Sequence, residues 1–240
     1  MAIISRMEPT LGPDHTGLIL FDSLNGYLHP KDPKKRKFLE ERHILRNMTR
    51  LLKGARRAGL VTFYPSGAHA ADGSDTVARL TDTDMNLNPI ASKKSIAPGI
   101  HKGSRESEVA PELKPAKGDV MVPKHRWNSF YQTDLAFHLK MRGIDTIVIA
   151  GGSTDVGIAS TVFAARDMDL GIVVVRDCCY SARGNNNQFF MERVFPRMGR
   201  VMDTDDVVKL MLAGALHGAR SSRKSGGVQP AAGAKKANKR

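Results

Sequence analysis

Cysteine is nearly absent from this 240-residue chain: there are two, and they are neighbours, Cys178-Cys179. Adjacent cysteines rarely meet the geometry of a disulfide, so no covalent framework is expected. So little cysteine suits a reducing cytoplasm. No CxxC, HExxH or zinc-ligand spacing occurs. There is no run of 18 apolar residues, which excludes a membrane-spanning helix. The first residues, Met1 to Pro9, lack the long apolar stretch of a secretory signal, so a cytoplasmic protein without membrane contact is expected. Phosphate-cradling loops are missing as well. Gly151-Gly152 has neither the GxGxxG spacing nor a following GK[ST].

Acidic residues are in deficit, and the net charge is +13. The excess is uneven: seven Lys/Arg and no acid follow His217, leaving +6 for the rest. The segment 218–240 is rich in Gly, Ala, Ser and Lys without apolar periodicity, and reads as a disordered basic tail. A solvated tail accounts for it, and nucleic acid is not an expected partner. An apolar fraction of 41% supports one substantial core, expected over residues 10–217, with residues 1–15 as a lead-in arm.

Within that span, apolar runs and helical periodicities alternate. Strands are expected over Thr16–Asp22, Leu60–Tyr64, Gly118–Lys124, Thr146–Ala150, Gly171–Asp177 and Arg200–Met202. Helices are expected over Phe38–Ala58, Gln132–Arg142, the stretch from the Ser153-Thr154-Asp155 cap to about Met168, Asn185–Met198 with Pro196 ending or kinking it, and Asp205–Leu216. Ser66 to Lys117 is a long polar connection of the kind that forms lids or interfaces. The alternation implies an α/β fold, a Rossmann-like three-layer α/β/α sandwich on a mostly parallel six-stranded sheet.

Three expected strand ends put polar groups on one edge: Asp22, Lys124 and the turn from Ser153 to Gly157. Open parallel sheets bind ligands there. An Asp and a Lys brought together favour each other's charged forms, or one holds a proton while the other orients a substrate. The helix start after Gly152 aims amides at one spot. Ordinary caps and surface ion pairs account for such residues equally well.

The stretch Lys124-His-Arg-Trp-Asn-Ser-Phe-Tyr-Gln-Thr-Asp-Leu135, followed by Arg142-Gly-Ile-Asp-Thr-Ile-Val-Ile-Ala-Gly-Gly-Ser-Thr-Asp-Val156, resembles the isochorismatase-like (cysteine) hydrolase superfamily. Leu18-Ile-Leu-Phe-Asp22, Val174 to Cys179 and Val194-Phe-Pro-Arg-Met-Gly-Arg-Val201 support the resemblance. It implies an assembly of two or four copies, a small-molecule substrate and a cis peptide at Gly152–Ser153. Amidases of the superfamily use an Asp–Lys–Cys triad. Asp22 and Lys124 fall on the first two positions, and Gly157 falls on the third, where no thiol exists. Covalent attack from that position is closed. Members with glycine there include isochorismatases, which cleave a vinyl ether with the equivalent Asp as proton donor. Their turn carries a His where this chain has Asp155.

What the resemblance implies is a hydrolase without the Cys nucleophile, acting on a small carboxylated, cyclic, amide or vinyl-ether molecule by Asp/Lys-assisted water attack. The alternative is a catalytically reduced member that binds a ligand or a protein. Substrate contacts are expected from Ser153, Thr154, Val156 and Asn25, with Trp127 and Phe130 as pocket walls or as ordinary packing. Cys178 or Cys179 as a surrogate nucleophile is the weaker reading; a buried pair is the stronger. His125 reads as structural. Nicotinamidase-type relatives carry Asp-x-His after the second strand, a pattern that Phe63 to Gly67 lacks. His69 alone makes no site, and neither metal nor cofactor is expected.

Overall fold

The computed structural model describes residues 10–76 and 100–225, with side chains to residue 217. Six strands form one sheet: β1 (Thr16–Phe21), β2 (Val61–Gly67), β3 (Val120–Lys124), β4 (Thr146–Gly152), β5 (Gly171–Tyr180) and β6 (Arg200–Met202). Their order is β3-β2-β1-β4-β5-β6 and every pairing is parallel. The chain builds outward from β1 in one direction, then returns to build from β4 in the other. The order therefore reverses between β1 and β4, and the crevice beyond their carboxyl ends is where such sheets take ligands.

Both faces of the sheet are covered, because side chains alternate along each strand. Leu18, Leu20, Tyr64, Val148, Ala150, Val173 and Val175 join one core. It packs under α3 (Ile44–Arg57) and α7 (Thr204–Ser225). Ile19, Phe21, Phe63, Ile147, Ile149, Ile172 and Val174 join the other, with Leu135 and Leu139 from α4 (Leu135–Met141) and Val162 and Ala165 from α5 (Ala159–Asp167). This is the expected three-layer sandwich. No helix among the described residues is long and apolar enough to cross a membrane.

Several elements differ from expectation for physical reasons. The helix expected over Phe38–Ala58 is two: α2 (Pro33–Glu41) and α3, divided at His43, which adopts φ 54°. The intervening Arg42-His43 offers no apolar side chain to hold a turn against the sheet, whereas Asp32 caps α2 by accepting from the Lys34 amide at 2.8 Å. A four-residue helical turn, α1 (Asn25–Leu28), occupies the loop before it. β2 runs through Pro65 to Gly67, since Pro65 still accepts from the Asp22 amide at 2.9 Å. The helix expected over Asn185–Met198 breaks into α6 (Asn186–Phe189), a π turn (Phe190–Val194) and a 3₁₀ turn at Pro196.

The lead-in is not loose where it is described. Leu11 is fully buried, and its amide donates to the Leu210 carbonyl at 3.4 Å. α7 continues past Leu216 to Ser225, so the tail begins as helix. The rest of the tail, the first nine residues and positions 77–99 of the long connection lie outside the described residues. The far end of that connection packs as core: Ala110 and Leu113 are fully buried, and the Tyr64 hydroxyl donates to the Leu113 carbonyl at 3.0 Å. Tyr64→Phe leaves that buried carbonyl unpaired. It should cost about 1–3 kcal/mol, read as a lower denaturation midpoint at unchanged slope.

Candidate active site

β1 ends because Asp22 turns into the left-handed region, with φ 43°. Short polar residues such as Asp tolerate that region better than most. The carboxylate is buried and doubly held. Oδ1 accepts from the Gly67 amide at 3.0 Å, and Oδ2 accepts from Lys124 Nζ at 2.9 Å. Lys124 is the last residue of β3 and faces inward because β3 alternates buried and exposed positions. Asp22, Gly67 and Lys124 thus come from three adjacent strand ends, as the sequence implied for the first and last. Burial pushes the Asp22 carboxyl above its ordinary value; Lys124, the Gly67 amide and His69 oppose this without cancelling it.

Beyond β4 the Gly152–Ser153 peptide is cis, and Thr154–Ile158 forms a π turn leading into α5. The expected N-cap is not made by a side chain. Instead the Ser153 carbonyl accepts from the Val156 and Ile158 amides at 3.2 Å each. The hydroxyls are also committed. Ser153 donates to Asp155, and Thr154 donates to Asn187 Oδ1 at 2.6 Å. Asp155 accepts in addition from Asn186 at 2.6 Å. Burial opposes ionisation of Asp155, yet these bonds hold its carboxyl below the usual range. Ser153, through Asp155, and Thr154 therefore tie the turn to α6. Val156 is partly exposed at the same turn.

Gly157 is buried against Phe21. A Cβ on residue 157 would lie 2.2 Å from Phe21 Cζ and 2.3 Å from Cε1. The Lys124 ammonium sits 4.4 Å from the centroid of the same ring. Tyr180 closes another side, its ring carbons 2.5–2.7 Å from where a Cβ on Gly152 would sit. The Tyr180 phenol is pushed up, by burial first and then by the Asp22 charge.

A second cluster adjoins this one. Asp75 takes the Ala70 amide at 3.0 Å on each oxygen, and lies 3.4 Å from His69 Nδ1 and 3.2 Å from His125 Nε2. Burial opposes it, but these partners hold the Asp75 carboxyl low. Asp75, His125, Arg126, Tyr131 and Gln132 line a cavity of about 340 Å³. His125 is thus tied into a polar network.

The other residues of the expected site are placed as follows. Asn25 is spent on the 105–108 segment, donating from Nδ2 to the Arg105 carbonyl at 3.1 Å and from its amide to the Glu108 carbonyl at 2.8 Å. Phe130 packs against the second core and Trp127 is half exposed. Cys178 and Cys179 lie inside β5 rather than after it, one in each core. Burial pushes the Cys178 thiol well up and the Cys179 thiol to about 12, so neither is poised as a thiolate. Phe21, Gly67, Tyr180 and Asp75 escaped sequence reading. Only Phe21 left a signal, as the one aromatic in β1.

Comparison with known proteins adds the following. The sequence profile of the isochorismatase domain matches residues 16–206. The uncharacterized isochorismatase family protein YecD of Escherichia coli O157:H7 is 33% identical over 93 residues, 39% of this chain and 50% of that protein. The chain thus spans about half the length of that curated relative. The ureidoacrylate amidohydrolase RutB of Variovorax paradoxus is 31% identical over 175 residues, 68% of this chain and 67% of RutB. Among solved structures, N-carbamoylsarcosine amidase from Thermoplasma acidophilum superposes with a TM-score of 0.61 at 25% identity, covering 80% of this chain and 97% of the amidase.

Proposed function

The chain belongs to the isochorismatase domain family, and from that membership we propose a hydrolase of small molecules that works without a thiol at residue 157. The observation that carries this reading is the buried Asp22–Lys124 pair at 2.9 Å, held at the sheet's reversal point. Burying two charges is costly and is better explained by chemistry than by stability.

Two characterised relatives are named for ureido or N-carbamoyl substrates, and the class proposed here is a small carboxylated molecule with such a group. Ionised Asp22 takes a proton from water as the water oxygen attacks the carbonyl carbon. Lys124 has three N–H donors, and the bond to Asp22 occupies one. Another stabilises the oxygen that becomes negative in the tetrahedral intermediate. Asp22 then returns its proton to the leaving nitrogen as the C–N bond breaks. No covalent enzyme intermediate forms.

The raised Asp22 carboxyl also favours a second reading, in which protonated Asp22 donates to an enol-ether carbon and water captures the resulting cation. The two readings have opposite pH dependence. With Asp22 as base, kcat/KM rises with pH through a midpoint above the ordinary carboxylate value of about 4. With Asp22 as donor, it falls through the same midpoint. The test is a panel of N-carbamoyl, ureido, amide and enol-ether carboxylates, assayed across pH. Native protein treated with iodoacetamide should keep its full rate, because both thiols are buried. Loss of turnover on alkylation would sink the thiol-free mechanism. Saturable binding without turnover across the panel would instead assign a ligand-binding module.

A further inference from the structure

We propose that Phe21 is a positioning residue for Lys124 and forms one unit with Gly157. Its ring edge fills the space that any side chain at 157 would use, and its face seats the lysine ammonium. Two independent contacts carry this. The first is steric: a Cβ at 157 would lie 2.2 Å from Phe21 Cζ, inside any real contact distance. Phe21 is 2% exposed and packed in the core with Ile149, Ile158 and Val162, so the ring has little room to swing away. The second is electrostatic: Lys124 Nζ lies 4.4 Å from the ring centroid while also donating to Asp22 at 2.9 Å. An ammonium over an aromatic face is attracted by the ring quadrupole, and more strongly where water is excluded.

The ammonium is therefore fixed by a carboxylate and by a π face, contributed by consecutive residues of one strand end. Asp22 supplies the charge, and Phe21 supplies a surface that takes no proton and competes for none. The same ring explains why residue 157 has no side chain: the space is already filled by β1. A side chain enters at 157 only when residue 21 shrinks.

The steric half is independent of what the protein catalyses; the kinetic half rests on the hydrolase reading. A double-mutant cycle tests the first half. Gly157→Ala alone should lower the melting temperature by several degrees, and Phe21→Val alone should do the same by opening a cavity. The pair together should melt no lower than Phe21→Val alone. In Phe21→Val/Gly157→Cys, the new thiol has room, and native-state alkylation should be at least ten times faster than in Gly157→Cys. Additive losses, or equal labelling of the two cysteine variants, would overturn the shared-space claim.

For the second half, Phe21→Leu should lower kcat about ten-fold, the scale of a desolvated cation–π contact, with KM changed less than two-fold. Phe63→Leu, a buried phenylalanine of the same core away from the pair, is the control. It should lower melting comparably and leave kcat in place. If both variants lose kcat alike, or neither does, Phe21 is a packing residue only. If no substrate is turned over, the cycle and the labelling still decide the steric half.

Discussion

Asp22→Asn should lower kcat/KM by about 100- to 10,000-fold, the range that a positioned acid–base group supplies, while the protein still folds. Asparagine keeps the shape and an acceptor for the Gly67 amide, but it can neither take a proton from water nor return one. Lys124 is then left buried beside a neutral partner. Removing one member of a buried pair costs about 3–5 kcal/mol because the other charge is uncompensated. With the amide oxygen kept on the Gly67 N–H, the Asn NH2 group faces the Lys124 ammonium, donor to donor, and only the Phe21 face 4.4 Å away still favours the charge. Lys124→Met should be equally inactive. The double variant Asp22→Asn/Lys124→Met should be more stable than Asp22→Asn, because no charge remains buried. Turnover assays with circular dichroism melts separate these effects. Retention of more than a tenth of the rate in Asp22→Asn would remove Asp22 from the chemistry.

The pH dependence of stability has a defined sign at this residue. The Asp22 carboxyl is raised in the folded protein, so folding favours its protonated form. Its contribution is most favourable below the unfolded value. It is lost as pH rises through the window between the unfolded and the raised folded value. Asp155 behaves oppositely. Its lowered carboxyl contributes above the unfolded value and loses that contribution as pH falls through the folded value. Acid should therefore loosen the β4 turn while leaving the Asp22 environment the better tolerated of the two.

Much of this was legible in the sequence, and the reason is periodicity. Apolar runs such as Ile147 to Ala150 can only be buried strands once helical patterns separate them. Their polar ends, Asp22 and Lys124, then fall on one edge by topology alone. What stayed hidden depends on contacts between strands. β5 continues through Cys178 and Cys179 because pairing slips from Ile149↔Val174 to Gly151↔Cys179, an irregularity no single-strand pattern announces. A lone positive φ at His43 splits a helix whose apolar face reads as continuous. Phe21 meets Gly157, 136 positions away, a contact that the pattern of one strand does not announce. Ser153 and Thr154 stand at the turn, where their hydroxyls donate to Asp155 and Asn187, partners that the sequence does not announce. Helix-cap chemistry and turn-pinning chemistry use the same residue types.

Gly151→Ala should be the most damaging added methyl among the described glycines, abolishing the folded state or its soluble recovery. Two effects coincide at this residue. Its φ is 132°, a region L side chains rarely adopt. In addition, a Cβ there would sit 2.1 Å from the Phe21 carbonyl oxygen, a backbone atom that cannot rotate away. Gly151 pairs with Phe21 across the β1–β4 ladder, so relief requires separating the two central strands. That separation would displace Asp22, one residue on, from Gly67 and Lys124. Gly118→Ala is the matched comparison. Its φ is 97°, yet nothing lies within 4 Å of the added carbon, so only the conformational cost of roughly 1–3 kcal/mol applies. Folded Gly151→Ala with a melting temperature like that of Gly118→Ala would mean that β1 and β4 can part without loss. In that event the close approach of β1 and β4 is not what fixes Asp22.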